Sequence, residues 1–112
     1  MNLSKGFSVK GNIEKVFELT EKYMSGMKYA VENSDKPTLL VFKRGSRSDA
    51  FLSFKVENYP TTLSISFSQK EENVHLLCDF NVGPSRTIFT SGDRSTLESE
   101  VEKLRHFLET TS

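Results

Sequence analysis

Apolar and polar residues alternate with a period of two through the middle of this chain, over residues 38–82. Ala50, Leu52, Phe54 and Val56 fall on one side, and Phe51, Ser53, Lys55 and Glu57 on the other. Leu63, Ile65 and Phe67 alternate with Thr62, Ser64, Ser66 and Ser68. Val74, Leu76, Cys78, Phe80 and Val82 alternate with His75, Leu77, Asp79 and Asn81. Successive side chains of a strand point to opposite faces, so the spacing predicts strands over 50–57, 62–68 and 74–82 with one dry and one wet face. Half-solvated strands belong to antiparallel sheets. The connectors, residues 58–61 and 69–73, have hairpin length and turn composition. Residues 38–44 differ: Leu39, Leu40, Val41 and Phe42 make an unbroken apolar run, as in a central strand.

The flanks predict the remaining elements. Leu3, Phe7 and Val9 mark a first strand over 3–10, and Asn12 is placed to cap a helix. Ile13, Val16, Phe17, Thr20, Tyr23, Met24 and Met27 then fall on one helical stripe, opposite Glu14, Lys15, Glu18, Glu21 and Lys22. Ser25-Gly26 ends that helix, and Tyr29 and Val31 begin a second strand that turns at 33–37. Residues 86–90 predict a short last strand. Ser95-Thr96-Leu97-Glu98 matches a capping box, opening a helix to about residue 109 with Leu97, Val101, Leu104 and Leu108 as its apolar stripe. The expected order is β-α-β-β-β-β-β-β-α. It describes a single α+β domain, one antiparallel meander sheet covered on one face by two helices.

A length of 112 residues fits one domain. Fifteen basic residues balance 15 acidic ones, which removes the electrostatic case for nucleic-acid binding. The lone cysteine, Cys78, suits a reducing compartment. Residues 1–6 lack an apolar leader and no apolar run reaches membrane-span length, so the expectation is a cytoplasmic protein.

Candidate chemistry is sparse. His75 and Asp79 share the polar face of one strand, a pairing that can serve general-base catalysis. On a wet sheet face the simpler expectation is solvated polar residues, and no catalytic site is assigned. No Cys/His cluster has metal-ligand spacing, no Gly-rich phosphate motif occurs, and no cofactor is expected. Glu98, Glu100 and Glu102 read as solubilising charge on the last helix. The most basic stretch contains Arg44, Ser46 and Arg47, a candidate anion site. Strand parity places the 45–49 loop, the 69–73 turn and the start of the last helix at one end of the sheet. Arg44, Arg47, Lys70 and Arg94 would gather there, diluted by Asp49, Glu71, Glu72 and Asp93. Nine Phe and three Met residues allow an apolar pocket between helices and sheet, lined by Phe17, Met24, Phe54, Phe67 and Phe80. Phe51 and Leu77 are the apolar residues of the otherwise polar face.

A strand, an amphipathic helix, a long meander and a C-terminal helix together resemble the helix-grip fold of START and Bet v 1-like proteins. The order is also similar to one half of the TATA-binding-protein fold. The resemblance covers nearly the whole chain in element order, without a shared sequence motif. It implies an apolar cavity between the C-terminal helix and the sheet, and assigns no residue a role. The resulting expectation is a small, non-enzymatic binding domain for an apolar or anionic ligand. The alternative is a protein-interaction or homodimerisation module using the open sheet face.

Overall fold

The period-two segments form long paired strands. A computed structural model describes residues 1–45, 56–83 and 89–111. Within these, β1 (Asn2–Lys10), α1 (Ile13–Ser25), β2 (Ala30–Asp35), β3 (Leu39–Arg44), β4 (Thr61–Lys70), β5 (Asn73–Val82) and α2 (Ser91–Thr111) follow in order. The strands make one antiparallel sheet in the order β1-β5-β4-β3-β2, with both helices on one face. Leu63, Ile65 and Phe67 of β4, and Val74, Leu76, Cys78, Phe80 and Val82 of β5, are all buried, as their alternation requires.

Local chemistry sets the helix starts. Asn12 Oδ1 accepts the N–H groups of Glu14 and Lys15 at 2.9 and 3.3 Å, capping α1 as expected. The capping box of α2 lies earlier than Ser95 and Glu98. Thr90 N–H donates to Asp93 Oδ2 at 2.8 Å, and Asp93 N–H donates back to Thr90 Oγ1 at 3.2 Å. Ser95 is therefore already inside the helix. α1 packs Phe17 against Phe67 of β4, ring centroids 5.2 Å apart, and Tyr23 against Phe107 of α2 at 4.6 Å.

Three further expectations change. β2 runs on to Asp35 through a bulge between Val31 and Asn33, where a turn was predicted. The strand expected over 50–57 is not present at its end: Val56–Asn58 is a 3₁₀ turn, and residues 50–55 lie outside the described residues. Phe89 and Thr90, the end of the expected last strand, are irregular, and residues 86–88 also lie outside.

Because β3 pairs directly with β4, Arg44 opposite Thr61, the chain leaves and re-enters the sheet at the same end. That reverses the expected strand parity. The β4–β5 turn, with Glu71 at φ 58, lies at the opposite end of the sheet from Arg44. It sits beside Gly11, where Gln69 Nε2 donates to Gly11 O at 3.1 Å and Gln69 Oε1 accepts Ile13 N–H at 2.8 Å. Lys70, Glu71 and Glu72 consequently do not join Arg44 in one rim.

Candidate functional site

Inward parity along β3 continues past Leu40 and Phe42 to Arg44, so a guanidinium enters the helix–sheet layer. Arg44 is 8% exposed. Across the layer, the stripe of α2 reads Leu97, Glu100, Val101, Leu104 and Leu108, with Glu100 buried where an apolar residue is usual. Arg44 Nη2 donates to Glu100 Oε2 at 2.9 Å. Tyr29, buried between α1 and β2, donates its hydroxyl to Glu100 Oε1, also at 2.9 Å. Both carboxylate oxygens are thus satisfied. The Arg44 guanidinium carbon lies 4.1 Å from the Tyr29 ring centroid, a cation–π stack.

Two further features mark this cluster. Arg44 Nε is buried and has no hydrogen-bond partner among the described residues. Arg44 also lines a cleft of about 660 Å³ with Gly26, Met27, Lys28, Gly45, Glu57 and Asn58. The end of α1, the end of β3 and the 3₁₀ turn converge on it. Burial, then the charge of Glu100, holds the Tyr29 phenol well above its usual range, against the opposing pull of Arg44. Tyr29 therefore remains a neutral donor through ordinary pH.

The sequence-predicted residues divide. Arg44 reaches the cleft but is committed to Glu100 rather than displayed on a basic loop. Ser46, Arg47, Phe51 and Phe54 lie outside the described residues. Phe17, Met24, Phe67 and Phe80 are each 4% exposed or less and belong to one packed apolar core, and none of them lines the Arg44 cleft. Glu100 and Tyr29 escaped the sequence reading. The signal for Glu100 was its spacing, three after Leu97 and four before Leu104, which places it on the buried stripe.

On the outer face, Ser8 Oγ hydrogen-bonds His75 Nδ1 and Ser4 Oγ hydrogen-bonds Asp79 Oδ1. These are two separate pairs, and Asp79 is engaged by Ser4 four residues along the strand from His75. Leu77, 45% exposed, stands between them above Gly6. Among the described residues no group of three or more His, Cys, Asp or Glu side chains is arranged to hold a metal ion. No described helix is long and apolar enough to cross a membrane.

No family model matches the chain, and no curated protein matches it in sequence. Its fold, however, is shared with solved structures. The Aha1 dimer from Colwellia psychrerythraea superposes with a TM-score of 0.66 at 10% identity, covering 97% of this chain and 96% of that one. Ara h 8.0201 gives 0.63 at 6% identity, over 98% and 95%. DynU16, from the dynemicin biosynthetic locus, gives 0.67 at 12% identity, over 97% of this chain and 46% of its own. Identities this low speak for the fold alone, and the fold is helix-grip-like, as the element order implied.

Proposed function

We propose that the chain is a small, non-enzymatic binding domain that holds a small organic ligand at the Arg44 end of the helix–sheet layer. One observation supports this reading above the rest. Arg44 Nε is a buried donor without a partner among the described residues, and Arg44 itself lines a cleft of about 660 Å³. Leaving a buried donor unsatisfied costs about 1–3 kcal/mol, and an acceptor brought by a ligand removes that cost. The ligand chemistry follows from the lining. A carboxylate, sulfonate or carbonyl oxygen meets Arg44, and an apolar body lies along Met27. Tyr29 and Glu100 hold the guanidinium and leave Nε without a partner among the described residues, so a ligand reaches it by displacing the atoms that cover it.

Anilinonaphthalene sulfonate, an apolar aromatic anion, is a direct probe. Saturable one-to-one binding to the folded chain is expected, with the Met27 methyl resonance shifting on titration. The double substitution Arg44→Met with Glu100→Leu removes the donor and its buried partner together. It should weaken binding by about tenfold or more, the scale of one charge-assisted hydrogen bond. Equal binding by the double variant, or no saturable binding by the native chain, would sink the assignment.

A further inference from the structure

We propose that the β1 edge pairs with the β1 edge of a second copy, antiparallel and two-fold symmetric about Gly6. The sheet order leaves β1 and β2 as its edges among the described residues, and the two are built differently. β2 is six residues long and broken by its bulge, which blunts it against further pairing. β1 is nine residues long, and its register against β5 runs unbroken from Asn2 to Lys10 with no bulge and no proline.

The phase of the β1–β5 ladder shows which groups are free for a partner. The Met1 amine donates to Val82 O at 2.7 Å, Val82 N–H donates to Met1 O at 2.8 Å, and Gly11 N–H donates to Glu72 O at 2.9 Å. Bonded and non-bonded pairs alternate in an antiparallel ladder. The odd-numbered residues of β1 therefore bond to β5. Asn2, Ser4, Gly6, Ser8 and Lys10 turn their N–H and C=O groups outward.

A two-fold axis through Gly6 pairs those five residues among themselves: Gly6 with Gly6, Ser4 with Ser8, and Asn2 with Lys10. Each then donates and accepts across the edge. Between them Leu3 meets Val9 and Lys5 meets Phe7 on the helix side, so no like charges sit directly opposite, and the two Lys5 side chains are diagonal neighbours that each turn to the glutamates of their own helix. Lys5 keeps Glu98 and Glu102 of its own α2 at 3.4 and 3.8 Å. Sliding the register by two residues strands an outward pair, and sliding it by one sets outward groups against inward ones. A second copy meets this register by symmetry, as an isologous interface requires that residue i meet j while j meets i.

Sedimentation of the whole chain over a micromolar concentration series should give twice the chain mass. Ser8→Pro deletes an outward N–H and leaves the β5 ladder intact, since proline is tolerated on an edge, and should halve that mass. Cross-linking tests the register independently of that variant's folding. Gly6→Cys places two thiols on the axis about 5.5 Å apart at Cα, within disulfide reach, and oxidation should give a covalent dimer. A Cβ at Gly6 meets Leu76 O at 3.4 Å, an ordinary contact. Ser4→Cys alone should not cross-link, whereas a mixture of Ser4→Cys and Ser8→Cys chains should. The proposal falls if the native chain is monomeric throughout the series or if the dimer survives Ser8→Pro. It also falls if Gly6→Cys fails to link a dimer that persists, or if Leu77→Ser rather than the proline dissociates it, which would assign pairing to the open face.

Discussion

Two sets of polar side chains flank the sheet, one on each face, and they use the same hydrogen-bond chemistry in opposite surroundings. On the helix side, Tyr29, Arg44 and Glu100 are all buried. On the outer side, Ser4 with Asp79 and Ser8 with His75 are exposed. Water can replace any outer partner that is lost. It cannot easily reach the inner ones, so each inner group depends on the other two. Exposed polar pairs therefore decorate the sheet, while the buried cluster fixes how α2 sits on β3 and places a charged donor beside the cleft.

The contrast breaks most visibly at Glu100. Glu100→Ala strands a guanidinium and a phenol in the layer, and urea unfolding should report a loss of about 3–5 kcal/mol. Arg44→Met with Glu100→Leu fills the same volume with apolar atoms. It should recover the part due to the stranded guanidinium, ending about 1–3 kcal/mol below the native chain because the buried Tyr29 hydroxyl still lacks its acceptor. A double variant as unstable as Glu100→Ala would mean that the ion pair itself, rather than the avoidance of a lone buried charge, holds the layer.

Alkaline pH sharpens the comparison next. Burial, assisted by the neighbouring Asp79, pushes the Cys78 thiol from 9.0 up to about 12. The unfolded chain ionises this thiol from about pH 9, while the folded chain keeps it neutral, so above that pH the unfolded state binds fewer protons. The associated stability is complete below pH 9 and is lost as pH rises from 9 toward 12. Tyr29, also raised, adds to the loss above its ordinary value. Cys78→Ala should flatten the fall in denaturation midpoint between pH 9 and 11; an unchanged slope would contradict the burial argument. On the outer face, Ser4→Ala and Ser8→Ala should each stay within about 0.5 kcal/mol of the native chain. A larger change at either serine would show that the outer face is shielded from water by something bound to it.

Much of this was legible in the residues. Alternation assigned Leu63, Ile65 and Phe67 of β4 and Val74, Leu76, Cys78, Phe80 and Val82 of β5 to the inward face correctly, because strand parity is a local property. Asn12 announced α1 through its own side chain. Other readings missed for identifiable reasons. Ser95 and Glu98 satisfy the capping-box spacing, but Thr90 and Asp93 satisfy it earlier in the chain, and the helix begins at the earlier one. Val56 has the apolarity of a strand residue and is buried, yet it sits in a 3₁₀ turn. Counting that segment as a strand reversed which loops share an end, and so misplaced Lys70 and the Glu71-Glu72 turn.

The sequence by itself determined the two-layer α+β class, the dry and wet faces of the long strands, and the residues that make the apolar core. These follow from periodicity, and periodicity is set by the backbone. Only the tertiary structure decided the pairing of Arg44 with Glu100, 56 positions apart, and the position of Tyr29 against both. It also decided that β3 lies directly against β4, and that β1 is an edge strand among the described residues. A buried charge is stable only beside its partner, and a strand edge is free only when no other strand lies against it. Both conditions belong to the assembled chain, and no local stretch of residues can express them.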